Sequence, residues 1–296
     1  MGNGYAGKMP EIRTAVTGME VQISHNTVYN YSAPVFPEPH IIRLNPRRDK
    51  HICIVSASMN IVPKPAGTND IIENNGTLAV MAWFDKITDI LEINAGISLK
   101  VEEFNPFDFL IYPSIALALP MVYKREWALS LSPYLGSKID VIPEIKQFAL
   151  RLAQDCSNDT IEFLRRLCLY VFSEFSYEKR ETGAAYSPLK TLKDKKGACR
   201  DFAVFSMAVC RHLGLACRYV SGYYIGEEAG ELHAWIEVFL PGAGWKGFDP
   251  SHGIACDYRH IVLSAAADPV LTLPVEGVFR GNAASKMTAG ISINVK

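Results

Sequence analysis

Gly197-Ala198-Cys199-Arg200-Asp201-Phe202-Ala203 places a thiol at the head of a helix. Phe202, Phe205, Ala208 and Val209 continue the run at helical spacing, and Gly214 stands where a helix from Cys199 to His212 would stop. The first turn of a helix has unpaired N–H groups and the positive end of the backbone dipole, which favour a thiolate and can hold an oxyanion. Gly197 lets the backbone come close ahead of the thiol. A buried, inert cysteine is the usual role of a lone Cys; what lies downstream argues for the reactive one here.

His233-Ala234-Trp235-Ile236-Glu237-Val238 reads as a strand, with His233, Trp235 and Glu237 on one face. Pro241-Gly242-Ala243-Gly244 turns the chain into Trp245–Phe248, and Asp249 ends that second strand. A loop of odd length puts His233 and Asp249 on the same face as diagonal neighbours. Thiol, imidazole and carboxylate in that order are the parts of a nucleophilic acyl-transfer site, with Asp249 fixing the His233 tautomer and Cys199 attacking. Trp235, Tyr223, Arg200 and Asp201 are the candidates for lining the cleft, although an ion pair at the helix start is the plainer role for Arg200 and Asp201. His252, three residues beyond Asp249, is the main rival to His233; His212 and His260 read as structural.

Further upstream the pattern changes. From about residue 18 to 135 short β-rich runs alternate with Pro, Asn and Gly: Val21 to Tyr31 at period two, then Ile52–Val62, Thr77–Phe84 and Ile90–Val101, with Gly96 as a candidate bulge. Pro106 to Ser137 reads as a crossing segment. Helical spacing begins near Pro143, and a second helix should run from Asp159 to about Phe175, with Asn158 or Asp159 as its cap. The fold class expected is α+β: an antiparallel β-sandwich, then a mixed catalytic domain. The divisions are an N-terminal extension over 1–17, a β-rich domain and linker over 18–138, and a catalytic domain with its C-terminal tail over 139–296.

Thirty Lys and Arg against 31 Asp and Glu leave a net charge of −1, which gives no reason to expect nucleic acid or an anionic membrane as partner. No apolar run is long enough to span a bilayer, and no secretory signal is legible at the start, so the expected compartment is the cytoplasm. The seven cysteines are odd in number and contain no Cys-x-x-Cys pair, which suits free thiols in a reducing compartment and gives no zinc framework. Neither a metal nor another cofactor is expected. The oligomeric state is not legible.

At these residues the chain resembles the bacterial transglutaminase-like superfamily, cysteine enzymes of the papain-like group. The resemblance rests on Gly197–Ala203, Arg211–Tyr223, His233–Val238 and Gly244–Ser251. It extends to His25–Tyr31 and Arg43–Arg47, which resemble the β-rich domain ahead of the catalytic one, with a loose match at Glu73-Asn74-Asn75-Gly76. The resemblance implies Cys199 as nucleophile, His233 as general base and acid, Asp249 as its orienter, and a peptide or protein as substrate. A second oxyanion donor would come from the Tyr177–Tyr186 segment. Hydrolysis of an amide leads the functional expectations. Transamidation by the same triad and a non-catalytic peptide-binding scaffold are the alternatives.

Overall fold

The computed structural model describes residues 18–136, 142–180, 183–226 and 232–296. The extension over 1–17 lies outside them. The first half supplies β1 (Met19–Pro37), β2 (His40–Ile42), β3 (Ile52–Val62), β4 (Gly67–Ile72), β5 (Leu78–Trp83) and β6 (Thr88–Val101). Alternation drives β1: Val21, Ile23, His25 and Thr27 are buried while Gln22 and Ser24 face water. Its partner β6 buries Leu91, Ile93, Ala95, Ile97 and Leu99 in the same way. These strands form one antiparallel sheet with β3, and β2, β4 and β5 form a second. Val21, Ile23, Leu91 and Ile93 from the first share a core with Ile42, Val80 and Ala82 from the second. That is the expected sandwich. Gly96 does not make a bulge; it pairs in regular register with Ser24 and Ser58, and the irregularity lies in β3 between Ile54 and Ser56.

The second half carries α1 (Arg125–Leu131), α2 (Pro143–Asp155), α3 (Thr160–Glu174), β7 (Ser176–Tyr177), α4 (Pro188–Asp194), β8 (Lys196–Gly197) and α5 (Cys199–His212). Asp159 caps α3 by accepting from Glu162 N at 2.8 Å. Gly214, at φ +74°, ends the turn after α5 in a conformation that glycine adopts without strain. Then come β9 (Cys217–Tyr224), β10 (His233–Leu240), β11 (Gly244–Asp249), β12 (Ile254–Ala255) and β13 (His260–Ala266), which form a sheet in the order β12-β11-β10-β9-β13. One face of this sheet (Tyr219, Ile236, Val238, Leu240) packs on α5 through Phe202, Phe205 and Val209. At the end of β9 and in β13, Tyr223, Ile261 and Leu263 join the core of the sandwich.

Two boundaries differ from the sequence expectation. The Pro-rich crossing segment is part of the helical core: Ile111, Leu119, Met121, Tyr123 and Leu131 are buried in it, and the Tyr123 hydroxyl donates to Phe239 O at 2.7 Å. The C-terminal tail, grouped by sequence with 139–296, returns to the sandwich through β14 (Val275–Glu276), β15 (Phe279–Arg280) and β16 (Ser285–Val295). β16 pairs with β1 from Val21↔Val295 to Tyr31↔Ser285. Backbone pairing there is set by the open edge of β1, which sequence order does not reveal.

Candidate active site

Cys199 is the first residue of α5, and its preceding N-cap is Ala198. Alanine has no side-chain acceptor, so no side chain caps the helix start. Asp201 steadies it from inside the first turn: Oδ2 accepts from Ala198 N at 2.8 Å. Gly197 makes this approach possible, since a Cβ there would lie 2.7 Å from Asp201 Cβ. Asp201 also accepts from Arg180 Nη2 at 2.6 and 2.8 Å and from Tyr186 N at 2.6 Å, and is wholly buried. Arg200 donates to Arg180 O at 2.6 Å. Both residues therefore tie the segment before α4 onto the nucleophile helix. Asp201 cannot line a cleft from its buried position. Of the Tyr177–Tyr186 segment expected to hold a second oxyanion donor, residues 181 and 182 lie outside the described ones.

His233 opens β10, and the pairing Ile236↔Phe248 and Leu240↔Gly244 puts Asp249 opposite Trp235. His233 and Asp249 are thus the diagonal, same-face pair that a three-residue turn dictates. His233 Nε2 lies 2.7 Å from Asp249 Oδ2, and the Cys199 thiol is near enough to the same ring to raise its proton affinity. With Nε2 on the carboxylate, Nδ1 is the nitrogen left for sulfur. Burial pushes the imidazole toward its neutral form, but the charge and hydrogen bond of Asp249, then the bond to Cys199, outweigh it and raise His233 to about 10. Asp249 has no exposed surface. Burial alone would raise its carboxyl, yet the facing His233 charge and the bonds from His233, His252 and His260 hold it well below the usual carboxylate range.

Two further imidazoles thus share Asp249. His252 Nδ1 lies 2.7 Å and His260 Nε2 3.1 Å from the same Oδ2. His252 is therefore an addition to His233, and not a replacement for it. His233, Asp249 and His252 also bring possible metal-ligand atoms within 4.8 Å of one another. Two imidazoles and a carboxylate are chemically suited to zinc. Here, however, both nitrogens sit at hydrogen-bonding distance from one oxygen. The trio reads as a hydrogen-bonded cluster.

Tyr223 and Trp235 are not where the sequence put them. Tyr223 has no exposed surface; its hydroxyl lies 3.0 Å from His25 Nδ1 on β1. Trp235 is 1% exposed, packed with Val220, Val262 and Ala265, its ring edge-on to His260 at 5.2 Å. They stand on opposite faces: Trp235, opposite Val220, shares the face of His233, and Tyr223 has the parity of Tyr219 and Ser221. The partner of His233 on the open side is Tyr224, whose ring centroid is 5.6 Å away.

Two family models match the chain. The transglutaminase-like superfamily matches residues 146–250, and the bacterial transglutaminase-like N-terminal region matches residues 21–100. An uncharacterised protein of Mycobacterium tuberculosis is 25% identical over 305 aligned residues, which cover 93% of this chain and 91% of the relative. A second, from Mycobacterium leprae, is 23% identical across 92% of this chain and 98% of its own. The crystal structure of a candidate cysteine protease from Cytophaga hutchinsonii superposes with a TM-score of 0.70 at 17% identity, over 95% of this chain and 91% of that one, and so shares the fold. Among the described residues no helix is long and apolar enough to cross a membrane. With a transglutaminase-like core joined to a bacterial transglutaminase-like N-terminal region, the chain belongs to the bacterial transglutaminase-like proteins.

Proposed function

We propose that the protein is a cysteine-dependent hydrolase of amide bonds in a peptide or protein. The observation that carries this reading is His233 held at 2.7 Å from buried Asp249, with the Cys199 thiol beside the same ring at a helix start. In that arrangement the Cys199 proton passes to His233, and Sγ attacks the substrate carbonyl. The oxyanion meets the Cys199 backbone N–H at the positive end of α5. The tetrahedral adduct collapses as His233 gives its proton to the leaving amine, and an acyl-thioester remains. Water then yields a proton to His233, attacks the thioester and releases the acid and the thiolate. Asp249 keeps its charge throughout and holds the ring with Nδ1 toward sulfur.

Replacing Cys199 with Ala tests the reading. Turnover of a peptide library should vanish while the thermal unfolding midpoint stays within a few degrees; retained turnover would end the proposal. Adding a labelled primary amine to a glutamine-containing peptide tests the choice of hydrolysis: amine incorporation that outpaces acid release would reassign the enzyme as a transamidase.

A further inference from the structure

The Asp249 carboxylate is held on both oxygens. Oδ1 accepts from Ser251 N at 2.8 Å and lies 3.4 Å from His252 N. Oδ2 meets three imidazoles. The chain from Asp249 to His252 therefore winds around its own acid, and Gly253, at φ +70°, sits against α3, where a Cβ would lie 3.0 Å from Phe172 Cβ.

The two additional imidazoles are not equivalent. His260 is buried, and its Nδ1 lies 3.1 Å from the backbone N–H of Asp257. It is an internal strut. His252 is a quarter exposed and stands at the mouth of the site. Its ring stacks on Tyr224 with centroids 4.0 Å apart and meets the His233 ring edge to face at 5.0 Å. The groups facing it are Asp249 from the end of β11, His233 from β10 and Tyr224 from β9, with Arg259 over the Tyr224 ring at 5.5 Å.

We propose that His252 is a positioning residue: it acts through Asp249 and covers the outer edge of the His233 ring, holding the imidazole in line with the sulfur. This rests on the reading of Cys199, His233 and Asp249 as the reacting set. A carboxylate with a single partner turns about its terminal torsion and wanders between its two oxygens. With Oδ1 tied to the backbone and Oδ2 tied to His252, the oxygen facing His233 has one place to be. His252 itself is fixed by the stack on Tyr224.

The experiment needs no substrate. Alkylation of Cys199 by iodoacetamide is followed by mass spectrometry from about pH 6 to about pH 9.5, because the thiolate is the reacting species. His252→Phe keeps the stack on Tyr224 and loses the Nδ1–H. His252→Asn places an amide N–H near the lost donor. His252→Phe should alkylate about tenfold more slowly than the wild type at the acid end, with a smaller difference at the alkaline end. Its downfield proton resonance from His233 Nε2–H should shift or broaden. His252→Asn should recover to within about threefold of the wild type. Should His252→Phe not fold, His252→Leu carries the same comparison. The proposal is overturned if His252→Phe behaves as wild type with an unmoved resonance, if the slowing is equal at every pH, or if Asn fails to restore the rate. Slow alkylation of the wild-type protein at the acid end would instead refute the reading of Cys199 and His233 as a reactive pair.

Discussion

Two buried carboxylates stand on neighbouring strands of one sheet. Glu237 on β10 meets two guanidiniums: Arg47 from the sandwich at 2.5 and 3.0 Å, and Arg218 from β9 at 2.6 and 2.8 Å. Asp249 at the end of β11 meets three imidazoles. Burial opposes the charge on both, and in both the partners win: Glu237 is lowered to about 2, and Asp249 lies well below its ordinary range. The difference lies in the cations. Guanidiniums stay charged at any pH a protein survives, so Glu237 is a fixed lock between the two halves of the molecule. An imidazole can give up a proton and take it back, so the partners of Asp249 suit a site where a proton has to move.

The sharpest way to break this contrast is to neutralise each acid in turn. Asp249→Asn should lower turnover by about 10³- to 10⁴-fold, since the ring loses both its orienter and the charge that stabilises the imidazolium. Glu237→Gln should leave the rate constant of folded protein near that of the wild type. Its cost should fall on stability, about 3–5 kcal/mol by urea unfolding, because two arginines lose their shared counter-charge in a buried place. Should Glu237→Gln abolish activity at full stability, the division into lock and chemical device collapses.

What the sequence could show of this followed from periodicity. The strands Ile52–Val62 and His233–Leu240 and the helices starting at Thr160 and Cys199 stand close to where alternation or helical spacing put them. The same-face placement of His233 and Asp249 came from counting residues through a three-residue turn. Alternation says which side chains share a face, but not what covers that face. Tyr223 and Trp235 therefore looked free to line a groove, although Tyr223 is buried in the core of the sandwich and Trp235 among Val220, Val262 and Ala265. The destination of β16 was hidden for a related reason: Ile291, Ile293 and Val295 alternate as in a strand, but alternation does not say which strand edge they join, and that edge is β1. Strands β2 and β4 and helix α4 are too short for their period to show. His260 reaches Asp249 only because β13 pairs with β9, a contact no local pattern encodes.

The contrast also has a pH signature. Raised to about 10 from 6.5, His233 contributes stability that is complete below about pH 6.5 and is lost as pH climbs through 10. Glu237, lowered from 4.5 to about 2, contributes stability that is complete above about pH 4.5 and is lost as pH falls through 2. Urea midpoints should therefore fall on both sides of a neutral plateau. His233→Gln should flatten the alkaline arm and leave Glu237's share of the acid arm in place; Glu237→Gln should do the reverse. An alkaline arm that persists unchanged in His233→Gln would show that the imidazole is not the group being titrated.

A smaller effect tests the buried face itself. His25 on β1 has its two ring nitrogens bracketed by the Tyr223 hydroxyl at 3.0 Å and Thr27 Oγ1 at 3.2 Å, and burial lowers it to about 4. The unfolded chain, with an ordinary histidine near 6.5, takes up its proton first, so this site weakens the fold as pH drops from 6.5 toward 4. Tyr223→Phe removes one hydrogen bond across the seam between sandwich and catalytic sheet and should cost about 1 kcal/mol in urea unfolding at neutral pH. Turnover should be unchanged, because the ring keeps its place and the hydroxyl faces β1 instead of the cleft. A rate loss at unaltered stability would return Tyr223 to the substrate side and contradict the packing of β9 against the sandwich.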